Sequence, residues 1–426
     1  MTAQPDGGAR SRLDVIDALR GLAVVFMIAL HTSHGWLAPP WREGPAWSVI
    51  RSLGGMAAPL FLLLAGVSLG LGWNVVERNP DAQARPGIAR GLGILVLGYV
   101  LRVQMWMLDA NGYRDTRAWL VAGTLVVGYA LVHRGLARWG VRQTGGAGWL
   151  AVGACAIAIG AWAVARWFPE RAAGVFRVDV LQAIGASVAL VAYALAALRG
   201  RRSHLAALGA LVACATPLVE MSSAGALPAA LDGYLVRRPV APGVLAAGLF
   251  PLFPWAAYAF VGAALGLDWA SAARGGGLAR RIVVTGAFGV LLALASCELV
   301  PGVSAALGAQ PWLTHPVRVA YRIGLALVFA VLCLALVRAR FTRWPLVTFG
   351  RASLLVYWVH LEFAFGIAAR PLARRLDLAH WAAWTFALVV AMGALAALAS
   401  GVRRERTTRA MRRVGDDAWN PTRAQA

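Results

Sequence analysis

Residues 13–37 read Leu-Asp-Val-Ile-Asp-Ala-Leu-Arg-Gly-Leu-Ala-Val-Val-Phe-Met-Ile-Ala-Leu-His-Thr-Ser-His-Gly-Trp-Leu. Ten residues in its centre, Gly21 to Leu30, are apolar on every side. Lipid accepts such a helix all round, whereas water does not. The run exceeds the roughly 20 residues that a bilayer crossing needs. Outward from it the same pattern recurs. Crossings are expected at 13–37, 47–73, 87–108, 118–136, 147–167, 178–198, 203–221, 243–267, 280–300, 317–338, 345–369 and 379–402. The predicted fold is all-α: a polytopic integral membrane protein of about 12 transmembrane helices, with 10–12 plausible and 118–167 a possible extra hairpin. Composition agrees, because 59% of the 426 residues are hydrophobic and 14% charged, against about 45–50% apolar in soluble domains.

All 41 basic residues are arginine, and the formal net charge is +22. They cluster between apolar runs, a pattern that marks topology and argues against a nucleic-acid partner. With the N-terminus inside, 24 arginines fall on the cytoplasmic side and 11 on the other. That bias predicts cytoplasmic termini: a tail at 1–12, a membrane domain at 13–402 and a basic tail at 403–426. A bacterial inner (plasma) membrane is the expected location. The first run carries two acids and an arginine at its start and no small-residue exit site, so it is expected to be retained rather than cleaved. No stretch is large enough for a soluble domain; 222–242, rich in Gly, Pro and Ala, is expected to face outward. No internal repeat is evident, which weakens a transporter built from duplicated halves. Cys155, Cys214, Cys297 and Cys333 lie in apolar runs without metal-ligand spacing and read as small hydrophobes. Phosphate-loop, dinucleotide and zinc motifs are absent from the sequence, so no metal is expected.

Ionisable groups inside crossings are expensive, and each is a functional candidate. Asp14, Asp17, Arg20, His31 and His34 crowd the first helix. Arg20 and His31 share one face, roughly 16 Å apart along the axis, and Asp17 is placed to pair with Arg20. Asp14 and Asp17 also fit a solvated helix start, and His34 fits simple solvation. Arg102, Asp179, Gln182, Glu298, Arg318 and Arg322 arrive at similar depth from other crossings, as expected of one water-filled cavity. Two prolines, Pro251 and Pro254, are expected to break the eighth crossing. Ser353, Tyr357 and His360 follow i, i+4, i+7 spacing on one face and read first as an interhelical hydrogen-bond stripe.

Asp17-Ala18-Leu19-Arg20-Gly21-Leu22-Ala23-Val24, ending in His31, resembles the opening helix of transmembrane acyltransferases. The nearer likeness is to bacterial members of the heparan-alpha-glucosaminide N-acetyltransferase catalytic-domain family. The arginine–histidine spacing is also that of the related acyltransferase family three. Ala58 to Ser68, Val180 to Gly185, the Pro251–Pro254 segment and Ser353 to His360 extend the resemblance along nearly the whole chain. It implies an enzyme that takes an acetyl or acyl group from cytoplasmic acetyl-CoA or another acyl-CoA. The acceptor is a sugar or glycan on the non-cytoplasmic side of the bilayer. The eukaryotic enzyme carries its proposed catalytic histidine in the loop after the first crossing. Residues 38–46 here contain none, so the role passes to His31 or His34.

Thioester acyl transfer needs a base and oxyanion donors. His31 is expected to be the general base or, second, a transient nucleophile. Arg102 or Gln182 would donate to the oxyanion, and Asp179 would orient the acceptor. Arg20, Arg90 and Arg351 would hold coenzyme A phosphates. The rival reading is a transporter or flippase for an anionic envelope precursor, which accounts equally well for the crossings and buried arginines.

Overall fold

The computed structural model describes residues 7–77, 79–109, 114–222, 233–235, 248–307, 315–339 and 343–418. Most of the loop expected at 222–242, the opening of the eighth crossing, and Arg78, Arg237, Arg238, Arg340 and Arg423 lie outside them. The described chain is helical: α1 Gly7–Trp36, α2 Gly44–Gly54, α3 Ala57–Gly72, α4 Pro80–Asp109, α5 Thr116–Gly140, α6 Gly146–Trp167, α7 Pro169–Val175, α8 Val180–Ala197, α9 Arg202–Ser222, α10 Leu252–Arg274, α11 Leu278–Leu307, α12 Pro316–Arg338, α13 Arg343–Arg351, α14 Ser353–Ala364 and α15 Leu378–Ala418. Eleven helical segments among the described residues are long and apolar enough to cross a membrane, with α2 and α3 taken as one. The all-α polytopic expectation is met. Both helices of the 118–167 hairpin, α5 and α6, are of spanning length.

Two compact units make up the chain: everything up to Gly54 together with everything from Ala335, and Gly55–Leu334. In the first unit α1 packs on α13 at two glycines. A Cβ on Gly21 would run into the Leu346 carbonyl, and one on Gly350 into the Asp17 carbonyl. Backbone approaches backbone there because neither residue has a side chain. At the other end of α1, the 374–376 segment docks through Arg374 N–H to the Gly35 carbonyl and Leu376 N–H to the Trp36 carbonyl, both 3.0 Å. Arg42 caps the helix by donating to the carbonyls of His34 (2.7 Å) and Leu37 (2.8 Å). These bonds take up orphan carbonyls of the last turn.

One expectation needs correction. The crossing at 345–369 is two short helices, α13 and α14, separated at Ala352 (φ −106°, ψ 14°). The break expected at Pro251 and Pro254 is present, and residues 243–247 of that crossing lie outside the described residues. The two prolines sit at the start of α10, where Phe253 is off-helix (φ −94°, ψ 118°), and the helix then runs on to Arg274. A first turn tolerates proline, since its N–H groups have no intrahelical partner. Glu298 stands next to the last residue of its crossing, Leu278–Leu299, with its side chain exposed, while α11 itself continues to Leu307.

In the second unit α5 and α6 touch at glycines, with Gly128 against Gly153 and Gly135 against Gly146. An apolar cluster containing Val103, Trp106, Val121, Leu125 and Val164 packs α4 to this pair.

Candidate active site

Polar groups of the first unit gather at two places on α1. At the first, Asp14 and Asp17 do not lie in a solvated first turn, because α1 begins at Gly7. Asp14 is buried, 3% exposed. Arg351, at the end of α13, donates Nη2 to Asp14 Oδ1 (2.9 Å) and Nε to Asp17 Oδ2 (3.0 Å). Arg20 reaches Asp17 Oδ1 at 3.3 Å, the pairing its spacing predicts. Arg20 and Arg351, both predicted phosphate ligands, thus converge on one carboxylate. Arg351 is still 44% exposed. Arg90, the third, belongs to the second unit and is exposed on α4.

Three turns along α1 the second cluster forms. His31 Nδ1 lies 2.8 Å from His360 Nε2, and His360 Nδ1 lies 2.9 Å from the Val356 carbonyl oxygen. The two rings are parallel within 3°, with centroids 5.1 Å apart. That separation, with so short an N···N contact, puts both nitrogens on the line between ring centres. The rings share a plane, edge to edge, as a linear hydrogen bond requires. Phe365 (5.5 Å) flanks His31, and Tyr357 (5.8 Å) flanks His360. His360 is fully buried.

The carbonyl fixes the protons. It can only accept, so His360 Nδ1 carries the hydrogen and its Nε2 carries a lone pair. His31 Nδ1 must then donate to that lone pair, which leaves the His31 Nε2 lone pair outward in the chain of bonds. No group among the described residues hydrogen-bonds His31 Nε2. The geometry yields a neutral imidazole of defined tautomer with a basic nitrogen, the form that proton abstraction needs. The surrounding helices are tied: Thr32 Oγ1 contacts Thr385 Oγ1 at 2.9 Å and accepts from Trp381 Nε1 at 3.2 Å, and Trp36 Nε1 donates to the Phe363 carbonyl at 3.0 Å. His34 is exposed and meets Trp47 edge-on at 5.5 Å. Ser353, Tyr357 and His360 share α14 as expected. The sequence reading missed that His360 meets His31, a contact between residues 329 positions apart.

In the second unit Arg102, Asp179 and Gln182 come together. Arg102 donates Nε (2.9 Å) and Nη2 (2.5 Å) to the Gly174 carbonyl and lies 3.7 Å from Asp179. Asp179 caps α8, with Oδ1 accepting from Val180 N–H at 2.8 Å; Gln182 Oε1 closes the capping box on Asp179 N–H at 3.1 Å. Gly98 makes room for the Gln182 amide. Among the described residues the buried Gln182 Nε2 group has no hydrogen-bond partner. Arg322, on α12, stacks over Trp255 at 5.7 Å. Among the described residues no group of three or more His, Cys, Asp or Glu side chains is arranged to hold a metal ion.

Neither a curated protein nor a solved structure matches the chain. A protein-family comparison does, and it supports the likeness carried by Asp17–His31 and Ala58–Ser68: residues 12–114, from α1 to just beyond α4, match the family described as heparan-alpha-glucosaminide N-acetyltransferase, catalytic.

Proposed function

We propose that the protein is a membrane-embedded acyltransferase. It moves an acetyl or acyl group from cytoplasmic acyl-CoA to a hydroxyl or amine of a sugar or glycan on the opposite side. The His31–His360–Val356 chain of hydrogen bonds carries this reading. His31 Nε2 accepts the proton of the acceptor O–H or N–H as that atom attacks the thioester carbonyl carbon. As the new acyl bond forms, the C–S bond breaks, and the His31 Nε2–H proton passes to the leaving thiolate. The imidazolium formed in between is held by the Nδ1–H bond to His360, a charge-assisted contact stronger than its neutral counterpart. His360 touches no substrate in this scheme; it is a positioning residue. Arg20 on α1 and Arg351 on α13 lie at the cytoplasmic end by the arginine bias, where partly exposed guanidinium groups suit donor phosphates.

The test uses full-length protein in proteoliposomes with radiolabelled acetyl-CoA and candidate glycans. Wild type should transfer label, and both His31→Ala and His31→Gln should lose about 10²–10⁴-fold in rate, with an unchanged melting midpoint showing the fold intact. Full activity in either variant removes His31 from the chemistry. Uptake of glycan or precursor without label transfer would establish the carrier reading instead.

A further inference from the structure

The second unit contains a cleft of about 270 Å³ lined in part by Trp73, Gly200, Arg202, Leu267, Ser271 and Arg274. It is built where three helix ends meet. Trp73 terminates α3, its N–H donating to the Gly70 carbonyl at 3.3 Å. Gly200 lies in the turn between α8 and α9 at φ +66°. A Cβ there would stand 2.6 Å from the Trp73 indole nitrogen, so only glycine lets the turn close over the ring. Arg202 opens α9; Ser271 and Arg274 occupy the last turn of α10.

Charge at this cleft is unbalanced. Asp268 supplies one carboxylate, which Arg202 Nη1 engages at 2.7 Å and Arg281 clasps with Nε at 2.5 Å and Nη2 at 2.7 Å. Two guanidinium groups therefore share one acid. Arg274 has no ion pair among the described residues, and Arg199 and Arg201 flank the same turn. Trp73 and Leu267 supply an apolar wall. A planar guanidinium fork matches phosphate oxygens. The volume falls just below the roughly 300–1,000 Å³ that encloses whole ligands, so it suits a head group and not an entire cofactor.

We propose that this cleft binds the phosphate group of an anionic ligand. Two sources share that chemistry: the nucleotide end of a soluble compound and the head group of an anionic phospholipid. Neither His31 nor His360 takes part; the nucleotide source rests on the acyl-CoA reading, and the lipid source does not.

Full-length protein in purely phosphatidylcholine nanodiscs is titrated with adenosine 3′,5′-bisphosphate. In parallel, discs doped with phosphatidylglycerol are examined by native mass spectrometry for retained lipid. Arg274→Gln removes the unpaired cation; Ser271→Glu leaves every arginine in place and sets a carboxylate in the cleft. Arg166→Gln, at the end of α6, is the charge control. Both cleft variants should weaken at least one probe tenfold or more, and the control should weaken neither. Loss of bisphosphate binding identifies a nucleotide site, and loss of phosphatidylglycerol a lipid site. Wild-type affinity for both probes in the folded cleft variants, or no binding of either probe to wild type, overturns the proposal.

Discussion

His360→Leu removes the acceptor for the His31 Nδ1–H while keeping a side chain of similar size in a fully buried position. The Val356 carbonyl lies within α14 and keeps its helical environment, so the fold loses little. Catalysis should lose more. As His31 gains a proton, its bond to His360 becomes a hydrogen bond to a charged group, worth about 1.5–3 kcal/mol. At 1.36 kcal/mol per factor of ten, kcat should fall about 10- to 150-fold. That lies below the roughly 10²–10⁴-fold expected for losing the base itself. Because His360 acts through His31, the double variant His31→Ala/His360→Leu should be no slower than His31→Ala alone, a non-additivity that independent roles would not produce. Nitrogen NMR on histidine-labelled protein reads the cause directly. Wild-type His31 should carry its proton on Nδ1, and His360→Leu should release that preference. A His31 proton found on Nε2 in wild type, or an unchanged kcat in His360→Leu, refutes the assignment.

Gly350→Ala forces a methyl group into the Asp17 carbonyl, and Gly21→Ala does the same at Leu346; each should cost about 1–3 kcal/mol or more by overpacking, read as a lowered melting midpoint in detergent, and wild-type midpoints would show that α1 and α13 are not in backbone contact. Asp377 caps the start of α15 through the His380 backbone N–H and ring, both at 2.8 Å, and those bonds hold its carboxyl below the ordinary carboxylate range. A depressed acid contributes stability above its unfolded pKa of about 3.9 and loses it as pH falls through the lower folded value. Hydrogen exchange at amides 379–381 should therefore stay protected at neutral pH and rise only in strong acid, whereas Asp377→Asn removes the pH dependence; fraying that begins near pH 6 would contradict the cap.

What the sequence disclosed was what short-range physics controls. Crossing helices announce themselves by length and hydropathy, and the Asp17–Arg20 pair follows from i, i+3 geometry. Asp179-x-x-Gln182 is likewise a local capping signature, although the reading from sequence gave those residues chemistry and no cap. The break at Ala352 was hidden, because the proline inside 345–369, Pro345, lies seven positions before it and no run of turn residues marks it. Gly350 stood beside it, but its contact with the Asp17 carbonyl depends on a helix more than three hundred positions earlier. The same distance concealed His360. Nothing in its neighbourhood distinguishes a histidine that hydrogen-bonds along a helix interface from one that positions a base.

The hydrogen-bond chain gives that distinction a physical basis. A buried histidine whose two nitrogens both meet fixed protein groups is satisfied, and structure alone explains it. His360 is such a residue, with Val356 on one side and His31 on the other. His31 is not, since only Nδ1 is engaged among the described residues. His31 is half-buried whereas His360 is fully buried, so the open nitrogen belongs to the ring that is not sealed into the core. A purely structural pair would be served as well by two apolar side chains of similar volume. The asymmetry between two rings in one plane, one closed by a backbone carbonyl and the other open, is what an oriented base requires. It turns a histidine read from the first helix into a specific nitrogen, Nε2, with a specific proton to accept.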